Sequence, residues 1–291
     1  MPSYVIISPV RNEEAHLPRT IASVVGQTLR PERWVIVDDG SSDGTPRILE
    51  QAAKEHDWIR VVQRPDRGFR KTGGGVIETF NQGLRWVEDL GWDYVVKLDC
   101  DLSFEVDYFA RLLQAFEQEP RLGIGSGVYW EERPLTGWRE TRMPAYHAAG
   151  ACKVVRRACF EEIGGFIAER GWDTVDEIRA MARDWRTTHF RELRMKHWKP
   201  EGSGIGQWRT SLMLGEIYYL TGGGKLFFVL KVIRRLVGWP FLVGGLGMAL
   251  GYTRMLWNGR SPLVSAAEAE CYRSLLRERL VAGMRRILQL S

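Results

Sequence analysis

An α/β fold with a mostly parallel sheet and helices on both faces is what the first 208 or so residues predict. Two observations carry that expectation. Short, largely apolar runs at residues 4–8, 34–37, 59–63 and 94–98 alternate with stretches whose apolar side chains recur at helical spacing. Strands that are apolar along their length are the kind that a sheet covers on both faces. A third observation concerns the strand ends: Asp38-Asp39 follows the second run and Asp99-Cys100-Asp101 the fourth. In open α/β sheets ligands bind just past the carboxyl ends of the strands.

Taken in order, residues 4–8 form the first strand. Residues 13–25 form a helix with Ala15, Leu17, Ile21, Val24 and Val25 on one side. After the strand at 34–37 comes a helix from Thr45 to about Glu55, started by Asp43 or Thr45 with Pro46 in its first turn. The strand at 59–63 leads through a basic, glycine-rich approach into a helix within 73–90, then the strand at 94–98. Residues 105–116 are helical, with Tyr108, Phe109, Leu112, Leu113 and Phe116 on the helical period. Beyond residue 120 the rhythm changes. Strands at 123–130 and 148–155 flank a segment bearing Trp and Arg; a helix at 174–185, a final strand at 187–190 and a loop at 196–207 follow.

The 291 residues suffice for one large or two small domains, and the net charge is only +5. Its distribution says more. From residue 200 onward 12 Lys/Arg face 5 Asp/Glu, interspersed with Leu, Val, Phe and Gly. That pattern suits an anionic membrane surface better than nucleic acid, for which no reading motif is present. The four cysteines show no metal-ligand spacing; Cys152 and Cys159, in apolar surroundings, read as buried thiols, and a reducing compartment is expected. No signal peptide is expected, because the apolar run at 4–7 is short and Arg11-Asn12-Glu13-Glu14 interrupts it. Residues 236–252 carry no charge but hold Pro240 and several glycines, near the lower limit for a membrane span. An interfacial hairpin is the preferred expectation, with a single span or a core element as alternatives. An amphipathic helix over 268–288 ends the chain. The predicted division is therefore 1–208 and a helical region 209–291, with an apolar, membrane-associating segment at about 226–257.

Four segments concentrate chemistry. They are Ile7-Ser8-Pro9-Val10-Arg11-Asn12-Glu13-Glu14; Val37-Asp38-Asp39-Gly40-Ser41-Ser42-Asp43-Gly44-Thr45; Lys97-Leu98-Asp99-Cys100-Asp101-Leu102-Ser103-Phe104; and Ile163-Gly164-Gly165-Phe166 followed by Gly171-Trp172-Asp173-Thr174-Val175-Asp176-Glu177. Hard oxygen ligands at a strand end suit Mg²⁺ or Mn²⁺, and such a cation neutralises a diphosphate. Arg67, Arg70 and Lys71, ahead of Gly73-Gly74-Gly75, are basic groups suited to phosphates; a plain loop leading into a helix is the alternative. No Gly-Lys-Ser/Thr follows, so this is not a Walker loop.

In this order and spacing the four segments resemble the GT-A glycosyltransferases of family 2, over roughly residues 1–200. The Asp-Leu-Ser portion is similar to the polyprenyl-phosphate sugar transferases of that group. The resemblance implies a Rossmann-like GT-A domain at 1–208 that moves a sugar, with inversion, from a UDP- or GDP-sugar. It implies a lipid-linked or polysaccharide acceptor at the cytoplasmic membrane face, with the protein peripheral or monotopic. Pro9, Arg11, Glu13 and Asp39, with Asp38 adjacent, would embrace base and ribose. Asp101 would be the direct ligand of Mg²⁺ or Mn²⁺, and Asp99 would serve the ribose or a metal-bound water. His197 would be a third metal ligand or a diphosphate contact. The family's base is an acidic residue at the start of the helix after Gly-Gly-Phe. Here the usual Glu-Asp pair is missing: counting back from Asp184-Trp185 favours Asp173, local similarity favours Asp176 with Glu177 behind it, and an ionised lipid-phosphate acceptor would need no base. A nucleotidyltransferase would carry a glycine-rich basic loop after the first strand, which Pro9-Val10-Arg11-Asn12-Glu13 is not. An inactive scaffold sits poorly with Asp39, Asp99 and Asp101, and a dinucleotide dehydrogenase lacks its glycine fingerprint.

Overall fold

A computed structural model describes residues 2–66, 68, 73–133, 136–199, 206–239 and 241–288. The chain divides into two compact units, Met1–Asp173 with Asp184–Pro200, and Thr174–Arg183 with Glu201–Ser291.

The first unit holds β1 (Tyr4–Val10), α1 (Leu17–Val25), β2 (Arg33–Asp38), α2 (Thr45–Glu55), β3 (Ile59–Gln63), α3 (Gly74–Leu84), β4 (Tyr94–Leu98), β5 (Leu102–Phe104), α4 (Tyr108–Gln118), β6 (Leu122–Arg133), β7 (Gly137–Glu140), β8 (Cys152–Arg156), α5 (Arg157–Glu162) and β9 (Arg186–His197). Among the described residues these strands make one sheet in the order β3-β2-β1-β4-β8-β6-β9-β5, with β7 added to β6. Strands β1 to β4 pair in parallel, as the buried apolar runs and intervening helices require. The other half differs from expectation. β8 is antiparallel to β4 and β6, β5 to β9 and β7 to β6, so the sheet is mixed rather than mostly parallel. Only β6 and β7 are joined by a tight link, which antiparallel pairing allows, and β6 and β9 keep a parallel pair within this half. One face packs Tyr4, Ile6, Trp34, Ile36, Tyr94 and Val96 with α1 and α4 residues such as Leu17, Val24, Phe109 and Leu113.

Several boundaries move. The first helix begins at Leu17, where Pro18 occupies its first turn, rather than at residue 13. The last strand runs over 12 residues to His197, taking up part of the expected loop. β5, β7 and α5 are additional.

The second unit contains α7 (Gln207–Leu220), α8 (Lys225–Val237), α9 (Val243–Trp257) and α10 (Ala266–Leu288), together with most of α6 (Trp172–Met181). Here the structure corrects the sequence. The charge-free stretch is not one apolar membrane-associating element: it breaks between α8 and α9, where Leu242 has a φ of 61°. No helix among the described residues is long and apolar enough to cross a membrane. The glycines within that stretch serve packing. A Cβ on Gly251 would lie 2.0 Å from the Leu212 carbonyl oxygen, and one on Gly215 2.0 Å from that of Met248, so α7 and α9 meet backbone to backbone.

Candidate active site

The order β3-β2-β1-β4 places the reversal of the sheet between β1 and β4, and the acidic motifs leave the carboxyl ends of β1, β2 and β4 beside it. The loops after β1 and β2 are knitted together. Asn12 N donates to Ser41 Oγ (2.9 Å), Ser42 N to Asn12 Oδ1 (2.8 Å) and Glu13 N to Thr45 Oγ1 (2.9 Å). Arg11 donates to the Asp39 carbonyl oxygen at 2.6 Å and pairs with Asp66 at 2.8 Å. The Asp39 carboxylate pairs with Arg64 at 3.0 Å. Pro9 lies on β1 in register with Val37. Asp38 has a local job: its Oδ1 accepts hydrogen bonds from Ser41 N (2.9 Å) and Ser41 Oγ (2.6 Å), closing the turn.

At the end of β4, Lys97 donates to Asp99 Oδ1 (2.6 Å) and to the Gly150 carbonyl oxygen (2.9 Å). Burial pushes the Asp99 carboxyl above its ordinary range, Lys97 opposing and Asp101 adding to the shift. Asp101 faces His197, with Nε2 3.6 Å from Oδ2, while its buried Oδ1 has no hydrogen-bond partner. β5 is responsible for this approach. It follows Asp101 directly and pairs Leu102 with His197, and Trp198 N donates to the Asp101 carbonyl oxygen (3.0 Å). On the other side of the imidazole, Nδ1 lies 3.1 Å from Glu131 Oε1. Burial works against the charged imidazole, but its interactions with the accepting carboxylates of Asp101 and Glu131 overcome it and lift the His197 pKa to about 10. Burial likewise opposes ionisation of Asp101, and His197 outweighs it, holding the carboxyl below its ordinary value. Glu13 pairs with Lys199 at 2.8 Å; burial raises its pKa against that pairing, and Asp101 adds to the rise.

No group of three His, Cys, Asp or Glu residues among those described is arranged to hold a metal by itself. Two ligands nevertheless fit a cation. At metal–oxygen distances of about 2.1 Å, neighbouring ligands of an octahedral ion stand roughly 3 Å apart and opposed ones about 4.2 Å. The 3.6 Å between His197 Nε2 and Asp101 Oδ2 lies about 0.6 Å from either separation, a gap that side-chain rotation on metal binding closes, and the orphaned Asp101 Oδ1 is an oxygen lacking a donor. Divalent cations in nucleotide sites take one or two protein carboxylates and complete their shell with phosphate and water.

The three candidate bases part company. Asp173, in the first turn of α6, belongs to the first unit; a Cβ on Gly150 would come 3.4 Å from its Oδ2, which sets its carboxylate beside the strand connection that Lys97 also holds. Asp176 and Glu177 are buried, group with the second unit, and Asp176 Oδ1 accepts from Glu177 N at 2.7 Å. Arg67, Arg70 and Lys71 lie outside the described residues. The glycines after them open α3, and Gly74 packs so that a Cβ would lie 2.1 Å from the Ala168 carbonyl oxygen, a close-packing role. Sequence reasoning missed Lys97 and Glu131. Lys97 had a signal, a cation inside an apolar strand; Glu131 had none.

Residues 5–198 match the family model described as Glycosyl transferase family 2. The chain is 27% identical over 116 residues to poly-beta-1,6-N-acetyl-D-glucosamine synthase of Staphylococcus aureus, which is 40% of this chain and only 26% of the synthase. It is 25% identical over 232 residues to N-acetylglucosaminyl-diphospho-decaprenol L-rhamnosyltransferase of Mycobacterium tuberculosis, covering 65% of this chain and 74% of that one. Among solved structures it resembles the mannosyltransferase PcManGT of Pyrobaculum calidifontis, in complex with GDP-Man and Mn²⁺, with a TM-score of 0.58, 17% identity and coverage of 97% and 81% of the two chains. At that identity the likeness concerns the fold. With the mixed sheet, the acidic strand ends and a family match over most of its length, the chain belongs to glycosyl transferase family 2 and has the GT-A fold.

Proposed function

We propose that this chain transfers a sugar, with inversion, from a UDP- or GDP-sugar to a lipid-linked or saccharide acceptor, assisted by Mn²⁺ or Mg²⁺. One observation carries the metal-assisted reading: Asp101, at the mouth of the sheet reversal, has a buried oxygen without a partner and turns its other oxygen toward His197. Asp101 and His197 would hold the cation, which when bound neutralises charge on the departing diphosphate. Pro9, Arg11, Glu13 and Asp39 line the nucleoside side, and Asp99, anchored by Lys97, serves the ribose or a metal-bound water. Asp173 is our choice of base, since it shares the first unit with Asp99 and Asp101. Its carboxylate takes the proton of the acceptor hydroxyl as that oxygen attacks the anomeric carbon and the bond to the diphosphate oxygen breaks. The PcManGT likeness supports a nucleotide-sugar donor, and the rhamnosyltransferase likeness a lipid-linked acceptor.

A peripheral place at the cytoplasmic membrane face belongs to the same proposal, and the likeness to a transferase named for a diphospho-decaprenol acceptor supports it.

The test is a screen of UDP-, GDP- and dTDP-sugars for donor hydrolysis and transfer with and without Mn²⁺, on the wild type and two variants. Asp101→Asn should slow turnover about 10²-fold or more, because a cation at the leaving group is worth several kcal/mol and each 1.36 kcal/mol is tenfold. Asp173→Asn should slow transfer to a hydroxyl acceptor while leaving Mn²⁺ binding intact. Metal-independent turnover unaffected by Asp101→Asn would remove the metal assignment.

A further inference from the structure

His197 arrives at Asp101 from the end of a long strand, and its ring needs fixing in both position and rotation for Nε2 to reach a cation. Three contacts do so. β6 and β9 run parallel with Glu131 in register with His197, so the two side chains project from the same face. The imidazole lies against the Tyr129 ring, centroids 5.1 Å apart and planes at 26°. Its Nδ1 meets Glu131 Oε1 at 3.1 Å, while Thr141 Oγ1 donates to Glu131 Oε2 at the same distance. Tyr129 is itself tied down, its hydroxyl oxygen accepting from Ala151 N at 2.7 Å, and Thr141 N donates to the Tyr129 carbonyl oxygen at 2.9 Å.

The chain Thr141–Glu131–His197–Asp101 thus runs from the β7 hairpin to the acidic motif. Stacking on Tyr129 tolerates both ring orientations related by a half-turn about Cβ–Cγ; the hydrogen bond to Nδ1 selects the one that turns Nε2 toward Asp101. Glu131 supplies that bond on the side of the imidazole opposite Asp101, out of reach of a cation held between Asp101 and Nε2. We propose that Glu131 is the positioning residue of His197, holding Nδ1–H so that Nε2 is presented to a divalent cation at Asp101. Metal-binding histidines commonly donate their second nitrogen to a carboxylate, and loss of such a partner weakens metal affinity about 10–100-fold. The inference rests on the reading that Asp101 and His197 hold the metal.

The experiment measures Mn²⁺ affinity of the full chain by the electron paramagnetic resonance signal of free Mn²⁺, with thermal unfolding as the control for fold. Glu131→Asp keeps the charge but withdraws the carboxylate by one methylene; Glu131→Gln keeps the reach and an acceptor oxygen but loses the charge. Positioning predicts about a tenfold or greater loss for Glu131→Asp and little change for Glu131→Gln. In a His197→Gln background, Glu131→Asp should cost no more than about twofold further, because its effect runs through the ring. Equal losses for both Glu131 variants, wild-type affinity in Glu131→Asp, or additive losses with His197→Gln would each overturn the assignment. A wild-type protein that binds no Mn²⁺ would overturn the metal reading as well, and so separates the two failures.

Discussion

Asp101 and His197 form an acid–base couple buried on one side of the sheet reversal, and a charged imidazole there makes a stability prediction. The pKa of His197 is raised from 6.5 to about 10 on folding, chiefly by hydrogen bonds to Asp101 and Glu131 that outweigh its burial. A group whose folded pKa lies above its unfolded one stabilises the protein fully below the unfolded value and loses that contribution as pH rises through the folded one. Metal-free protein should therefore lose stability between about pH 6.5 and 10 by a margin that His197→Gln lacks. Paired thermal or urea unfolding of wild type and variant across that range would check it; parallel pH profiles would contradict a charged His197. The two residues were unequally legible. Asp101 and Asp39 announce themselves because acidic turns follow two separate apolar strands at the edge of the sheet where ligands bind. Glu131 has no such signature, since its meaning depends on His197, 66 positions away, reaching the same register.

The elements that bring these side chains together are β6 and β9, and their pairing is irregular where it matters. The register shifts between Ser126 and Val128, and the residue at the shift is Gly127. A Cβ on Gly127 would lie 2.1 Å from the Leu193 carbonyl oxygen and 2.8 Å from Tyr108 Cε2, while Gly127 N donates to the Tyr108 hydroxyl at 2.8 Å. Backbone cannot retreat as a flexible side chain does, so Gly127→Ala should destabilise the chain by about 1–3 kcal/mol or more. A lowered urea midpoint at unchanged slope would register that cost; an unchanged midpoint would mean that the shift yields without penalty. The parallel half of the sheet was readable from periodicity, because β1, β2 and β4 are buried along their length. β9 was not: exposed Arg186, Arg191, Glu192, Arg194 and Lys196 break its apolar pattern, so only 187–190 looked like strand. The start of α10 was written in the sequence but overlooked. Ser265 and Glu268 exchange hydrogen bonds in a capping box, Ser265 N to Glu268 Oε2 at 2.8 Å and Glu268 N to Ser265 Oγ at 3.2 Å.

For the molecule as a whole, the stretch from 236 to 252 misled because composition cannot distinguish apolar residues that face lipid from those that face another helix. Close packing decides the matter: Gly251 of the stretch and Gly215 of α7 permit the α7–α9 contact, and a span of lipid-facing helix would need about 20 apolar residues without the break at Leu242. The described residues assigned to donor and metal, Asp39, Asp99, Asp101 and His197 among them, belong to the first unit, whereas the α7–α9 packing belongs to the second. Ligand and packing mutation should therefore act on different transitions. Calorimetry with UDP or GDP plus Mn²⁺ at about 100 times Kd should stabilise the first unit by about 2.7 kcal/mol, a rise of roughly 5–10 °C for a domain of this size. Gly251→Ala, whose Cβ would meet the Leu212 carbonyl oxygen, should instead lower the transition of the second unit and leave nucleotide affinity unchanged. If one transition were moved by both the nucleotide and the substitution, the chain would unfold as a single cooperative block, and the glycines of α9 would then contribute to the stability of the donor site itself.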